Sequence, residues 1–416
     1  MKVLLRNATI TSASSPYNGQ SKDILITNGI ITTIGTAINP EDAQVIDIEG
    51  LHVSEGWMDC FANFCDPGFE HKETLQTGAV AAAAGGYTTV MLIPNTYPVI
   101  DNKSQIEYIL QQRNIPVTIY PIGAVTKKCE GKELTEMYDM RKSGAIAFSD
   151  GLNSIQSSGI LLKALQYVSA FDGTIIQLPD DHTIGTSGLI NEGITSTRLG
   201  LPGKPAISEE ILIARDIELA AYTGSKIHFT GISTKRSLDM ILEAKAKGIK
   251  VSCSVAPYHL YFCDEDLVTY DTNLKVNPPL RSREDMLALR DAAREGKIDF
   301  IASHHQPQNW DNKTCEFEYA GYGMNGLESN FGVAIFCGID IHTFVKMQTQ
   351  NIYTTFGITL PTIEEGAKAN LSLFNPHTSY TFMEPMQSKS VNNAFINQTL
   401  KGKTLGIIND NILFLN

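Results

Sequence analysis

Eight short apolar runs recur between residues 53 and 362, separated by stretches with helical periodicity. The runs are Trp57–Phe61, Thr88–Ile93, Val117–Ile122, Ala145–Phe148, Thr174–Gln177, Lys226–Thr230, Lys250–Ser254 and Asp299–Ala302. Amphipathic spacing predicts helices at Glu73–Ala84, Lys132–Lys142, Ser208–Tyr222, Thr234–Lys247 and Arg283–Arg294. Eight strand–helix units over about 300 residues predict an α/β fold, a (β/α)8 TIM-type barrel. An open, doubly wound sheet is the alternative. It is disfavoured because no glycine-rich dinucleotide loop follows the first run.

Both chain ends read differently. Residues 1–52 alternate apolar and polar side chains in short runs, and Asn28-Gly29 is a hairpin signal between two of them. Residues 363–416 repeat the pattern, with Asn409-Asp410-Asn411 as a turn. The expectation is a composite β-sandwich built from 1–52 and 363–416, attached to a barrel spanning 53–362. Barrel sites lie at the C-terminal ends of the strands. The long segments 178–204, 255–280 and 303–324 are therefore expected around the mouth.

A net charge of -12 argues against nucleic acid or an anionic membrane as partner. No apolar run reaches the ~18 residues a membrane span needs. Met1–Asn7 carries no secretory pattern. The 7 cysteines are scattered without a C-x-x-C pair, so reduced thiols and a cytoplasmic location are expected.

The segment Gly56-Trp57-Met58-Asp59-Cys60-Phe61-Ala62-Asn63-Phe64-Cys65-Asp66-Pro67-Gly68 has the frame of a metal-site strand without its ligands. It resembles the dihydroorotase pattern of the amidohydrolase superfamily, roughly G-x-x-D-x-H-x-H-x-R-x-P-G. Further stretches carry the resemblance along nearly the whole chain: Pro94-Asn95-Thr96, Gly144 to Asp150, Asn191-Glu192-Gly193, Arg198 to Pro202, Lys275 to Arg281 and Gly323 to Glu328. The resemblance implies a metallo-dependent barrel with a sandwich from both termini. It also implies hydrolysis of a cyclic amide, dihydroorotate to carbamoyl aspartate, at one or two zinc ions.

Carried over position by position, the implied ligand set is mostly absent. The strand-one histidines fall at Phe61 and Asn63, the strand-five histidine at Leu178 and the strand-six histidine at Gly231. Asp150 stands at the strand-four position. His304 stands where the strand-eight aspartate, also the general base, is implied. No intact catalytic set and no cofactor are therefore expected, with Asp150 and His304 either remnant ligands or polar residues of a solvated mouth. The substrate-binding arginine position is Cys65, while Asn95 and Asn277 match substrate-contacting positions. These two asparagines either bind a ligand or order their loops. Asp59, His228 and His259 read as structural, Cys60 and Cys65 as buried thiols, and Phe61 and Leu178 as fillers of the vacated site.

Three functions follow. The first is a non-hydrolytic dihydroorotase-like subunit of pyrimidine biosynthesis, structural or regulatory. The resemblance implies aspartate transcarbamoylase as its partner, with or without homodimer formation. The second is an active zinc-dependent cyclic amidohydrolase with a rearranged site. The third is a small-molecule sensor that uses the old pocket.

Overall fold

The structure, a computed structural model, describes residues 1–416. Seven expected barrel strands form: Trp57–Ala62, Tyr87–Leu92, Thr118–Pro121, Thr174–Gln177, Lys226–Phe229, Val251–Val255 and Phe300–Ile301. Their pairings are all parallel. The fourth expected strand is not a continuous one. Its place is held by Phe148, which bridges Gly123 on one side and Ile175 on the other. A parallel bridge between Ala62 and His305 closes the ring.

Helices pack outside. Leu75–Ala84 is started by Thr74, whose hydroxyl accepts from the Thr77 N–H while Thr77 bonds back to the cap. The helices at Ile207–Thr223, Lys235–Ala246 and Arg283–Arg294 match the periodicity. The one expected from residue 132 is confined to Met137–Lys142. A 3-10 turn at Lys127–Cys129 and the left-handed Gly131 (φ +71°) occupy the approach to it. Helices at Lys103–Leu110 and Ser158–Ser169 were not among those expected.

The two chain ends meet as expected. The strands Lys2–Ile10, Ser21–Thr27, Ile30–Gly35, Gln44–Ile46, His52–Glu55, Asn370–Thr381, Thr399–Asn409 and Ile412–Leu415 share one continuous sheet. His52–Glu55 joins the ends, pairing parallel with Lys2–Ile10 and antiparallel with Asn370–Thr381. Val3, Leu5, Ile24, Val53 and Leu371 belong to the core this sheet encloses.

The boundaries are less clean than expected. His52–Glu55 straddles the first one. Beyond the second, Phe382 and Phe395 leave the terminal core and pack into the barrel cluster. Glu73 anchors this return. Its carboxylate accepts from the Ser388 hydroxyl and from the Lys389 N–H at 3.2 Å. On its other side it lies 3.6 Å from His305 Nε2.

Asp59 ties strand one to strand eight. Fully buried, it accepts from the Ser303 N–H at 2.6 Å and the Ser303 hydroxyl at 2.8 Å. Burial pushes its pKa up, against the Ser303 hydrogen bonds that favour the charged form. Asp59→Ala leaves both Ser303 donors unpaired in the interior. A loss of about 2–4 kcal/mol is expected, read as a lower urea midpoint. A variant as stable as the parent would show that the closure does not depend on this carboxylate.

Candidate functional site

The strand ends at the mouth converge on a packed plug. The Phe61 and His304 rings lie face on, with centroids 4.6 Å apart and planes tilted 31°. His304 Nε2 is 2.8 Å from the Thr230 hydroxyl. Burial, reinforced by the nearby His259, lowers the His304 pKa to about 3, so the imidazole is neutral at pH 7. Leu178 is buried beside it. Gly231 adopts φ +66°, and a Cβ there would stand 2.5 Å from His304 Cε1 and 3.3 Å from Leu178 Cδ1. The absent side chain at 231 is thus what makes room for the His304 ring.

The remaining candidates serve the backbone. Asn63 Oδ1 accepts from the Cys65 N–H at 2.8 Å. Asp150 accepts from the Thr126 N–H at 2.8 Å and from the Thr126 hydroxyl. Burial raises the Asp150 pKa to about 6, partly offset by those Thr126 hydrogen bonds. Asn95 clamps the loop after the fourth strand position. Its Nδ2 donates to the Asp150 carbonyl at 3.1 Å, and its Oδ1 accepts from the Leu152 N–H at 2.9 Å. Of the two readings left open for Asn95, the loop-ordering one describes its bonds.

Asn277 is engaged differently. Its Oδ1 accepts from Lys204 Nζ at 2.8 Å, and the same ammonium pairs with Asp180 at 2.5 Å. Neither Lys204 nor Asp180 stood out in the sequence. An isolated lysine and one of two adjacent aspartates carry no spacing signal for a pair 24 residues apart. Arg281, from the Lys275–Arg281 stretch, braces this region. It donates to the Lys204 carbonyl at 3.0 Å, to Asn191 Oδ1 at 3.3 Å and to the Ser233 hydroxyl at 2.9 Å.

The residues read as structural are so placed. His228 stacks on Phe300 at 4.6 Å and contacts the hydroxyls of Ser252 and Ser254. His259 Nε2 lies 3.1 Å from the Pro278 carbonyl. All seven cysteines are unpaired thiols, and burial pushes the Cys65 pKa up to about 12. Nowhere do three or more His, Cys, Asp or Glu side chains converge so as to hold a metal ion. No helix is long and apolar enough to cross a membrane.

Two outcomes follow from this packing. Gly231→Ala imposes a left-handed conformation on a side-chain-bearing residue and drives its Cβ into His304. A loss of about 1–3 kcal/mol is expected in thermal unfolding; an unchanged midpoint would mean the plug yields freely. Asp150 holds its proton more tightly folded than unfolded, so its contribution to stability falls as pH rises from about 4 to about 6 and is flat above. Asp150→Asn removes that loss. Its stability relative to the parent should therefore improve by about 2–3 kcal/mol between pH 4 and pH 7, measured by urea titration at both. A difference independent of pH would refute the assignment.

Comparison with known proteins places this geometry. A family model described as dihydro-orotase-like matches residues 53–237, and one described as the amidohydrolase family matches 181–407. A dihydroorotase of Caldanaerobacter subterraneus subsp. tengcongensis is 40% identical, over 97% of this chain and 94% of its own. A dihydroorotase of Syntrophus aciditrophicus is 36% identical, over 97% of both chains. The solved L-hydantoinase of Arthrobacter aurescens superposes with a TM-score of 0.86 at 20% identity, over 99% of this chain and 95% of its own, which establishes the shared barrel fold. The family is metal-dependent, with zinc as its metal, and this corrects the expectation of no cofactor. The side chains at the implied ligand positions do not fit that ion. Phe61, Leu178 and Gly231 offer no donor, His304 Nε2 is turned to Thr230, and Asp150 is turned to Thr126. With matches of this extent along both its halves, the chain belongs to the dihydroorotase family of amidohydrolases.

Proposed function

We propose that this chain is a dihydroorotase-family protein of pyrimidine metabolism that does not hydrolyse dihydroorotate and serves as a structural or regulatory subunit for aspartate transcarbamoylase. The observation that carries the first part is the plug. Hydrolysis of a cyclic amide needs an activated water beside the ring carbonyl. Here that place is filled by the Phe61–His304 pair, with Leu178 against it. His304, at the implied general-base position, is a buried imidazole whose pKa of about 3 leaves it a poor base. The substrate side is altered in step. Cys65 replaces the implied arginine, removing a bidentate, charge-assisted pair.

The partner reading is supported by what is kept. The barrel closure, the Arg281 brace and the joined terminal sheet are all intact, which favours a use for the frame other than hydrolysis. Association with the transcarbamoylase is the use the family resemblance suggests. The relatives' own name, dihydroorotase, favours a second reading, an active enzyme with a rearranged site.

Co-expression with the transcarbamoylase of the same source separates the two. A complex that survives gel filtration at micromolar concentration is expected, since a stable interface buries upwards of ~1,000 Å². Purified chain alone should show no turnover of dihydroorotate. Separate elution, with transcarbamoylase activity and stability unaffected, defeats the subunit reading. Turnover by the chain supports the enzyme reading instead. Phe61→His with Asn63→His should not restore hydrolysis, because Leu178, Gly231, His304 and Cys65 still lack the needed groups. Appreciable turnover of that double variant, assayed with added zinc, would point to a different set of working residues.

A further inference from the structure

At the end of the barrel away from the mouth, a cavity of about 200 Å³ opens where three neighbouring strands begin, Thr174–Gln177, Lys226–Phe229 and Val251–Val255. Its polar wall is Thr174, Lys226, Lys250, Ser252, Thr354 and Thr355, and no carboxylate lines it. Strand register sets the two cations side by side. Thr174 pairs with Lys226, and Ile227 with Val251, so Lys226 and Lys250 stand at one level on adjacent parallel strands. Such strands run ~4.8 Å apart, and like charges held together at that spacing repel. Lys226 and Lys250 therefore carry a cost that the fold itself does not remove.

The acceptors at this end of the barrel are committed elsewhere. Lys226 Nζ meets Asp172 at 2.5 Å, but that carboxylate is 76% exposed, so the pair is solvated and weak. Asp299 is taken by Lys245 at 2.5 Å and by the Cys253 N–H at 2.7 Å. Lys250 is exposed at the rim, and its ammonium pairs with no side chain of the protein. The end carbonyls of the helix Ile352–Phe356 do not serve the lysines either. Those of Tyr353 and Thr354 accept from the Ile358 and Gly357 N–H groups, and that of Thr355 from the Thr174 hydroxyl at 3.4 Å. Ser252 Oγ is held 2.8 Å from Nδ1 of the fully buried His228, which fixes a hydroxyl on the cavity wall.

We infer that this cavity binds a phosphate-class dianion between Lys226 and Lys250, either the free ion or the end group of a short phosphomonoester. The charge pattern selects the class. Two ammoniums without a lining acid exclude a cation, and a dianion answers both where a monoanion answers one. A tetrahedral oxyanion also presents oxygens in several directions. It can accept from both lysines and from the hydroxyl wall at once, in charge-assisted hydrogen bonds. In a chain of net charge -12, a cavity walled by cations and hydroxyls stands apart from the rest of the surface. Its size suits a small ion or short ester rather than the drug-sized ligands of ~300–1,000 Å³ sites. The site lies at the opposite end of the barrel from the implied metal centre and shares no residue with it. It is also independent of the subunit reading: a chain that binds phosphate but not the transcarbamoylase loses that reading and keeps this one.

The test titrates the full chain by calorimetry at about pH 8, where inorganic phosphate is mostly dianionic, and at constant ionic strength. The probes are sodium phosphate, glycerol 3-phosphate and sodium acetate. Phosphate or glycerol 3-phosphate should saturate one site with a Kd of about 1 mM or lower, and acetate should bind at least about tenfold more weakly. Tighter binding of phosphate assigns the site to the free ion, and tighter binding of glycerol 3-phosphate to an ester; either supports the proposal. Lys250→Glu should abolish binding while the ligand-free thermal midpoint holds or rises, because an opposite pair replaces two like charges. Thr354→Glu, an exposed change on the facing wall, should abolish binding by repulsion without touching either lysine. No saturable binding of either phosphate compound overturns the proposal, as does acetate binding as tightly as the better of them. Undiminished binding in Lys250→Glu or in Thr354→Glu places the anion elsewhere and overturns it too.

Discussion

A barrel of this kind is held only if its last strand returns to its first, and here one buried carboxylate reinforces that return beside the Ala62–His305 bridge. Asp59 receives both the backbone and the hydroxyl of Ser303 across the seam. The short strand Phe300–Ile301 supplies few ladder bonds of its own. Directly beyond Ser303 come His304, which enters the plug, and His305, which faces Glu73. Glu73 in turn grips the returning C-terminal segment at Ser388 and Lys389. Closure, mouth and terminal return are thus placed by one short run of residues. A shift at Ser303 would be felt in all three.

The mouth is packed interior at the positions where the family resemblance implies a polar centre. A site built for an ion and several imidazoles leaves a hydrated void when those groups are removed, and voids and unpaired polar atoms are both costly. Two large rings, one leucine and one glycine solve the problem together. Phe61 covers one face of His304, Leu178 lies beside it, and Gly231 yields the space that a side chain would take. The one polar group inside, the His304 imidazole, is answered by Thr230. Asp150 is likewise satisfied, by the Thr126 N–H and hydroxyl. These residues are mutually dependent, since each fills space or answers a polar atom that another leaves.

Polar character has moved sideways. The Asp180–Lys204–Asn277 cluster lies at the edge of the mouth, in a cavity that the plug does not fill. Arg281 ties the backbone of Lys204 to Asn191 and Ser233, so the loops after strands five, six and seven share one buried brace. The same brace that keeps the barrel mouth in shape therefore also fixes the position of the cavity's cation.

The sequence by itself determined the barrel, the joining of the two chain ends and the residue types at the implied ligand positions. Each rests on local information: strand and helix periods, hairpin turns, and residue types in a recognisable frame. Phe61, Leu178 and Gly231 could be read as non-ligands because no environment gives them a metal donor. The structure alone decided what took the ligands' place. That Gly231 makes room for His304, that Asn95 clamps Asp150 and Leu152, and that Lys204 reaches both Asp180 and Asn277 are contacts between residues 24 to 73 positions apart. The fourth strand's reduction to bridges at Phe148, and the return of Phe382 and Phe395 to the barrel core, are likewise set by neighbours distant in sequence. Local pattern fixes which face of an element is apolar; only the assembled barrel decides which distant side chain that face meets.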